Sequence, residues 1–399
     1  MDSAEREGLR QKGNVPILRF PEFRGEWEKM RLDGFTERVM RKNRNNLSKL
    51  PLTISAQYGL VDQVTFFNKV IASTDMSNYY LLKKGEFAYN KSYSSDYPWG
   101  AIKRLDRYDQ GALSSLYICF ALQDSIVSDY VLQYFESPKW HKGVSEIAVE
   151  GARNHGLLNV SVQDFFHTYH YVPKEKEEQI KIGKFLALLD ERIATQNKVI
   201  DKLQSLIKGI VDYTILRKEQ NATIGDVCSV SEQIRAEAKI DDIITVRLHG
   251  NGVCKSSAEN LQLGATQYYR RRAGQLIYGK QNFHNGAIGI VPQSLDNGIT
   301  SKDIPSFDID KVKCNSIYLL AQLQSPQYYK PTEALTTGTG SKRLKEEAFL
   351  KMPIVLPNKR EQDKIANLIY RASIDLDQAK RLSELFSTQK QYLLRQMFI

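Results

Sequence analysis

Four loops carry side chains whose types suit contact with a polyanion. The first, Thr336-Thr337-Gly338-Thr339-Gly340-Ser341-Lys342-Arg343, combines hydroxyls, two glycines and two adjacent cations. Glycine lets a backbone approach a ligand closely. Hydroxyls, Arg, Lys, Asn and Gln are the groups that hydrogen-bond base edges and phosphates. Thr339, Ser341, Lys342 and Arg343 are therefore candidates, against the plainer reading of a solvated turn. A second loop supplies Lys280, Gln281, Asn282 and His284, and a similar one supplies Lys91, Ser92 and Tyr93. A fourth offers Arg153 with Asn154. Two basic clusters suit phosphates, namely Arg41, Lys42 and Arg44, and Arg270, Arg271 and Arg272. A solvated basic face accounts for these clusters equally well.

The residues of catalysis are harder to find. A base-methylating enzyme needs an Asn-Pro-Pro-aromatic motif to hold its flipped target, and the chain has no Asn-Pro dipeptide. A glycine-rich dinucleotide turn opening a helix is also missing. Gly338 to Lys342 lacks the Gly-Lys-Ser/Thr order of a phosphate loop. The six histidines, including His167, His170 and His284, have no carboxylate or cysteine at triad or metal spacing. They read as surface or satisfied structural residues. The expectation is a chain without catalytic residues, metal or cofactor of its own.

The whole chain agrees with binding. It has 399 residues, 42% of them hydrophobic, with 56 Lys and Arg against 46 Asp and Glu, a net charge of +10. That length suggests two or three domains, and the charge points to a polyanion. No apolar run reaches the ~18 residues of a membrane span. The opening MDSAEREGLRQK lacks the apolar core of a signal peptide, and the four cysteines are widely spaced. A cytoplasmic protein without membrane contact is expected.

The elements that position the loops are written twice. YYLLKKGEFAYNK, from Tyr79, and YYRRRAGQLIYGK, from Tyr268, share Tyr, Tyr, Gly, Tyr and Lys at one offset. Gly100-Ala101-Ile102 answers Gly286-Ala287-Ile288, and Gly111 with Ser114 answers Gly298 with Ser301. GEFAY and GQLIY read as strands, whereas SLYICFAL and IYLLAQL fit a buried strand or a helix. Each half then runs into a Pro-led amphipathic stretch, after Pro173 and after Pro357. The first places Ile182, Leu186, Leu189, Ile193, Gln196, Ile200, Leu203, Ile207 and Ile210 at alternating steps of four and three, the seam of a coiled coil. The second follows with Ile365, Ile369, Ala372, Leu376 and Ala379. Beyond Ala379 it is expected to slip onto Leu382, Phe386, Leu393 and Met397.

The resulting layout is residues 1–173 as a first head, 174–220 as a long helix, 221–357 as a second head and 358–399 as a second helix. A helix of roughly 40 residues is about 60 Å long. Two heads on such a rod suit readers one to two turns of duplex apart. The same rod would equally space two protein-binding heads, so a non-DNA bivalent scaffold is the alternative.

In this order and duplication the chain resembles the specificity subunit of a type I restriction-modification system. The resemblance is carried by NVPILRFPEFRGEWEKMRL (Asn14 to Leu32), the strand ends Tyr89-Asn90-Lys91 and Tyr278-Gly279-Lys280, the loop GTGSKRL (Gly338 to Leu344) and both Pro-led helices. It implies an α/β (α+β) fold with internal pseudo-twofold duplication. Two similar target-recognition domains are separated by two long helices forming an antiparallel coiled coil. Each domain is expected to read one part of a split, asymmetric double-stranded DNA sequence. The helices are expected to seat two methylation subunits, with restriction (motor-nuclease) subunits joining them. S-adenosylmethionine, ATP and Mg would belong to those partners. The first half's counterpart of GTGSKRL is the diverged GARNHGLLNV (Gly151 to Val160). Phe185, Leu188 and Tyr370, off the seam, are either left for the methylation subunits or buried on their own head. Trp27 and Phe20-Pro21-Glu22-Phe23 read as packing of the N-terminal arm.

Overall fold

The computed structural model describes residues 13–69, 73, 75–148, 156–256, 266–336 and 342–399. These form two compact units, residues 1–195 with 382–399, and residues 196–381. The units do not coincide with head-plus-helix repeats, because each takes part of both long helices.

In the first unit, β1 (Glu28–Arg31) pairs antiparallel with β10 (Tyr169–Val172). Two four-stranded sheets follow. The first has the order β2 (Thr36–Arg38), β9 (Ile118–Leu122), β6 (Phe87–Asn90), β7 (Ala101–Arg104). The second has the order β4 (Gly59–Asp62), β3 (Pro51–Ser55), β8 (Gln110–Leu113), β5 (Tyr80–Lys83). Its β3/β8 contact is parallel, and the rest of the sheet is antiparallel. The central strands are aromatic-rich and buried. Phe87 stacks on Phe120 at 5.4 Å, and helix α1 (Ser128–Glu136) adds Tyr130, Tyr134 and Phe135 to that core. Burial of such rings dominates core energetics.

The second unit repeats the plan, with β11 (Ala222–Thr223) antiparallel to β21 (Pro353–Ile354) as β1 is to β10. β12 (Cys228–Val230), β20 (Ser306–Ile309), β17 (Leu276–Tyr278) and β18 (Ile288–Ile290) stand in the same spatial order as β2, β9, β6 and β7. Leu276 faces Phe307 across the ladder as Phe87 faces Phe120. The other sheet is shorter, with the order β13 (Arg235–Ala236), β16 (Tyr268–Arg270), β19 (Ile299–Ser301), beside the hairpin β14 (Ile244–Val246) and β15 (Val253–Lys255). A single parallel bridge, Ile243 to Ile299, stands where the first unit has its parallel β3/β8 contact. IYLLAQL belongs to helix α3 (Ser316–Leu323), while ICFAL is β9.

The shared glycines have shared reasons. Gly85 and Gly274, each in the turn before the repeated strand, take φ of +86° and +87°, a region L side chains rarely adopt. Gly111 and Gly298 are packing positions. A Cβ added at Gly111 would stand 2.4 Å from Leu52 of β3, and one at Gly298 would stand 2.6 Å from Ile244 of β14.

Helix α2 (Lys176–Val211) has 36 residues and ends in a π turn, Asp212–Leu216. Helix α4 (Lys359–Gln396) has 38. At ~1.5 Å per residue each exceeds 50 Å. They run antiparallel in both units. In the first, Lys390 donates to Asp190 (2.5 Å) and Arg192 lies over the Phe386 ring. In the second, Gln196 donates to the Ala379 carbonyl (3.2 Å) and Lys218 pairs with Glu361. Between residues 191 and 210 only the six seam positions, Ile193 to Ile210, are less than fully exposed.

The second seam corrects one expectation. Leu382 is 40% exposed and lies off the seam. Ser383 occupies the next seam position, followed by Phe386, Lys390, Leu393 and Met397, so the steps of four and three run on unbroken. The stripe looked displaced because two of its positions are polar. Lys390 keeps its stem in the seam while its ammonium reaches Asp190.

Candidate nucleic-acid interface

Each repeated strand delivers a lysine into the same backbone clasp. In the first unit β6 ends at Asn90, whose side chain accepts from the Ser92 amide (3.0 Å). The Leu158 amide donates to the Lys91 carbonyl (2.9 Å), and the Tyr93 amide donates to the Gly156 carbonyl (3.0 Å). Ser92 bridges Leu157. In the second unit the Leu344 amide donates to the Lys280 carbonyl (2.8 Å). The strand-end loop and the distant loop of each half, Lys91 with Leu158 and Lys280 with Leu344, are thus held together in the same way. The aromatic floor repeats as well, with Tyr89 stacked on Phe165 at 4.8 Å and Tyr278 on Phe349 at 4.4 Å.

The side chains around the two clasps differ. Lys91 donates to the Val160 carbonyl (3.4 Å), while Ser92 and half-exposed Tyr93 face outward. Lys280 is ion-paired with Glu346 (2.8 Å). Around it, Lys342 meets Glu333 (3.3 Å) and Arg343 meets Asp303 (3.4 Å). Gln281 and Asn282 are exposed, and Asn282 precedes the 3₁₀ turn Phe283–Asn285. The half-buried His284 sets its Nε2 against the Asn285 side-chain Nδ2 (3.2 Å), and its Nδ1 is buried without a partner among the described residues. Arg153, Asn154, Thr339 and Ser341 lie outside the described residues.

A hollow of about 280 Å³ beside Lys280 is lined by Gln233, Tyr269, Lys302 and Glu346 among others. Lys302 is a cation that the sequence reading missed. The repeat carries no signal for it, since Lys302 follows the matched Ser301 but its own counterpart in the first half is Ser115.

The basic clusters divide sharply. Arg41 donates to both carboxylate oxygens of Glu86 (2.8 and 2.7 Å). Lys42 donates to the Asn78 carbonyl (2.8 Å) and lies over the Tyr80 ring. Arg44, Arg270 and Arg272 are exposed. Arg271 is not a surface cation and cannot reach a phosphate. It is fully buried and donates to Thr300 Oγ1 (2.7 Å), Ser306 Oγ (2.9 Å) and the Ile304 carbonyl (3.0 Å). Burial lowers its pKa to about 10.

The remaining candidates fall into place individually. His170 is a satisfied core residue, with Nδ1 on the Tyr134 hydroxyl and Nε2 on the Thr168 hydroxyl, each at 2.8 Å. His167 lies 3.8 Å from Asp33 at the surface. Trp27 is buried and donates to Glu178 (3.2 Å), which also accepts from Arg19. Phe20 packs edge-on against Phe185, so the arm covers part of that ring, while Leu188 and Tyr370 stay more than half exposed. Among the described residues no group of three His, Cys, Asp or Glu could hold a metal, and no helix is long and apolar enough to cross a membrane.

No protein-family model matches the chain, and neither does any curated protein. Solved structures do. The type I restriction-modification S subunit from M. genitalium matches with a TM-score of 0.60 at 13% identity, over 96% of this chain and 99% of its own. A chain from a structure on complex assembly and conformational transition of the type I R-M system matches with a TM-score of 0.51 at 12% identity, over 93% and 97%. At these identities the likeness speaks for architecture, and on that ground the chain has the two-domain, long-helix fold of the type I S subunits.

Proposed function

We propose that this protein is the DNA-specificity subunit of a type I restriction-modification complex. It reads a split, asymmetric double-stranded target through its two heads and brings methylation and motor-nuclease subunits to that target. The observation that carries the reading is the duplicated clasp, in which equivalent lysines, Lys91 and Lys280, end equivalent strands and join equivalent distant loops. Two similar but unequal sites suit a target with two unlike halves. The loops are rich in groups that read base edges, and the net charge of +10 favours a polyanion. Catalysis, with S-adenosylmethionine, ATP and Mg, is assigned to the partner subunits.

The test is a genome-wide methylation map with and without this gene, in a host that carries working partners. An adenine methylation pattern confined to one split sequence and lost with the gene is expected. An unchanged pattern overturns the proposal.

A further inference from the structure

Each long helix has a buried glutamine near its start, held by the same two kinds of bond. Gln179 lies in the first turns of α2 and is 2% exposed, and Gln362 lies in those of α4 and is 1% exposed. Pro173 precedes the first and Pro357 the second. The Val127 amide donates to Gln179 Oε1 (2.8 Å), and Gln179 Nε2 donates to the Pro173 carbonyl (2.9 Å). The Asn315 amide donates to Gln362 Oε1 (2.8 Å), and Gln362 Nε2 donates to the Pro357 carbonyl (2.8 Å) and the Lys313 carbonyl (3.1 Å). Val127 and Asn315 are the residues preceding α1 and α3, which are equivalent helices of the two heads. One primary amide therefore joins three pieces in each half, namely the head, the proline strap and the long helix.

No other side chain of similar size does this. A carboxylate keeps the acceptor and loses the donor, and an ammonium does the reverse. A buried apolar residue leaves backbone groups on both sides unpaired, which carries the full cost of their desolvation. A mere helix start would need neither bond, because acidic residues and caps serve there. Glu177 and Glu178 already stand in the first turn of α2, and Asn358 already caps α4 at the Glu361 amide.

We infer that Gln179 and Gln362 are repeated positioning residues that lock each head onto the start of its own long helix, and so hold the spacing at which the split target is read. The second clause rests on the proposed function, and the first stands on the hydrogen bonds alone.

The test uses the full chain with Cys254→Ser, since the other three cysteines are buried. Spin labels at Glu146→Cys and Glu191→Cys report the first head against α2, and labels at Lys311→Cys and Lys364→Cys report the second head against α4. In the unaltered clamp each pair is expected to give one narrow distance. Gln179→Met should broaden only the first distribution and Gln362→Met only the second. Gln179→Glu keeps the acceptor but sets a buried carboxylate against the Pro173 carbonyl, and should broaden the first distribution at least as much. Duplexes carrying the two half-sites at the native spacing, or one base pair longer, supply the second readout. Preference for the native spacing is expected to fall from about tenfold to about threefold in either Met variant, with discrimination inside each half-site retained. Unchanged distances in the Met variants overturn the clamp, and broadened distances with an unchanged spacing preference overturn its role in reading. If the unsubstituted chain binds no split target, the proposed function fails, while the distances still decide the clamp.

Discussion

A guanidinium held by two hydroxyls and a carbonyl inside a protein is a structural element, and Arg271 shows how easily it passes for a surface charge. Three consecutive arginines look like one basic patch. They leave β16, however, where side chains alternate between faces, so the middle one turns inward while Arg270 and Arg272 stay exposed. Arg271→Met is expected to cost about 1–3 kcal/mol by leaving buried polar groups unpaired. Arg270→Ala and Arg272→Ala should shift stability by no more than about 0.5 kcal/mol. If the latter two meet phosphates, each also lowers the salt slope of DNA binding by about one. Thermal unfolding and a salt titration separate these outcomes. His170 makes a second residue-level prediction, because burial lowers its pKa from the usual 6.5 to about 3. The native state then stays unprotonated where the unfolded chain binds a proton. Stability is fully present above about pH 6.5 and falls by up to about 1.4 kcal/mol per pH unit as the pH drops toward 3. Urea midpoints measured across that window should show the slope, and His170→Gln should reduce it. A slope unaltered by His170→Gln would mean that other groups carry the acid sensitivity.

The two long helices were the most legible elements, because a heptad seam is a periodic signal that survives without tertiary context. Its tail departs from the apolar pattern for a physical reason. Leu382 continues the apolar stripe along the sequence but lies off the helix–helix contact, whereas the seam runs on through Ser383 and Lys390. The corrected register has a direct consequence. Leu382→Ala should move the urea midpoint by no more than the equivalent of about 0.5 kcal/mol. Ile369→Ala, which empties a position packed with Ile207, Ile210 and Ile365, should cost about 2–4 kcal/mol. Comparable losses from both would restore the slipped register. The strands of the heads were legible only in part. ICFAL and IYLLAQL are equally apolar and equally short, and what separates them is the N-cap Asn315, whose side chain accepts from the Ile317 and Tyr318 amides. Of the candidate interface, the sequence located the paired loops but not their partners. Whether a lysine meets a carboxylate such as Glu346, 66 positions away, depends on chain crossings that no local pattern records.

At the scale of the whole molecule, duplication decides which pieces can be exchanged. The first head could be cut at residue 172 on sequence grounds alone, where the strap begins. The structure shows that the N-terminal arm does not belong wholly to that head. Its Arg19 and Trp27 both bond Glu178 of α2, and the Leu18 amide donates to the Gln396 carbonyl of α4. Glu178 is 1% exposed, so an exchange that removes its partners leaves a carboxylate buried and uncompensated, a loss of several kcal/mol. Replacing residues 1–172 by those of a relative should therefore fold well only where the relative supplies both an Arg and a Trp to this carboxylate. Replacing residues 36–168, and so keeping the arm, β1 and β10, should fold in either case. In both chimaeras that fold, the methylation map should change in one half of the target and keep the other half and the spacing. A change in both halves would mean that the heads do not read independently, and the repeated clasp at Lys91 and Lys280 would then need a different explanation.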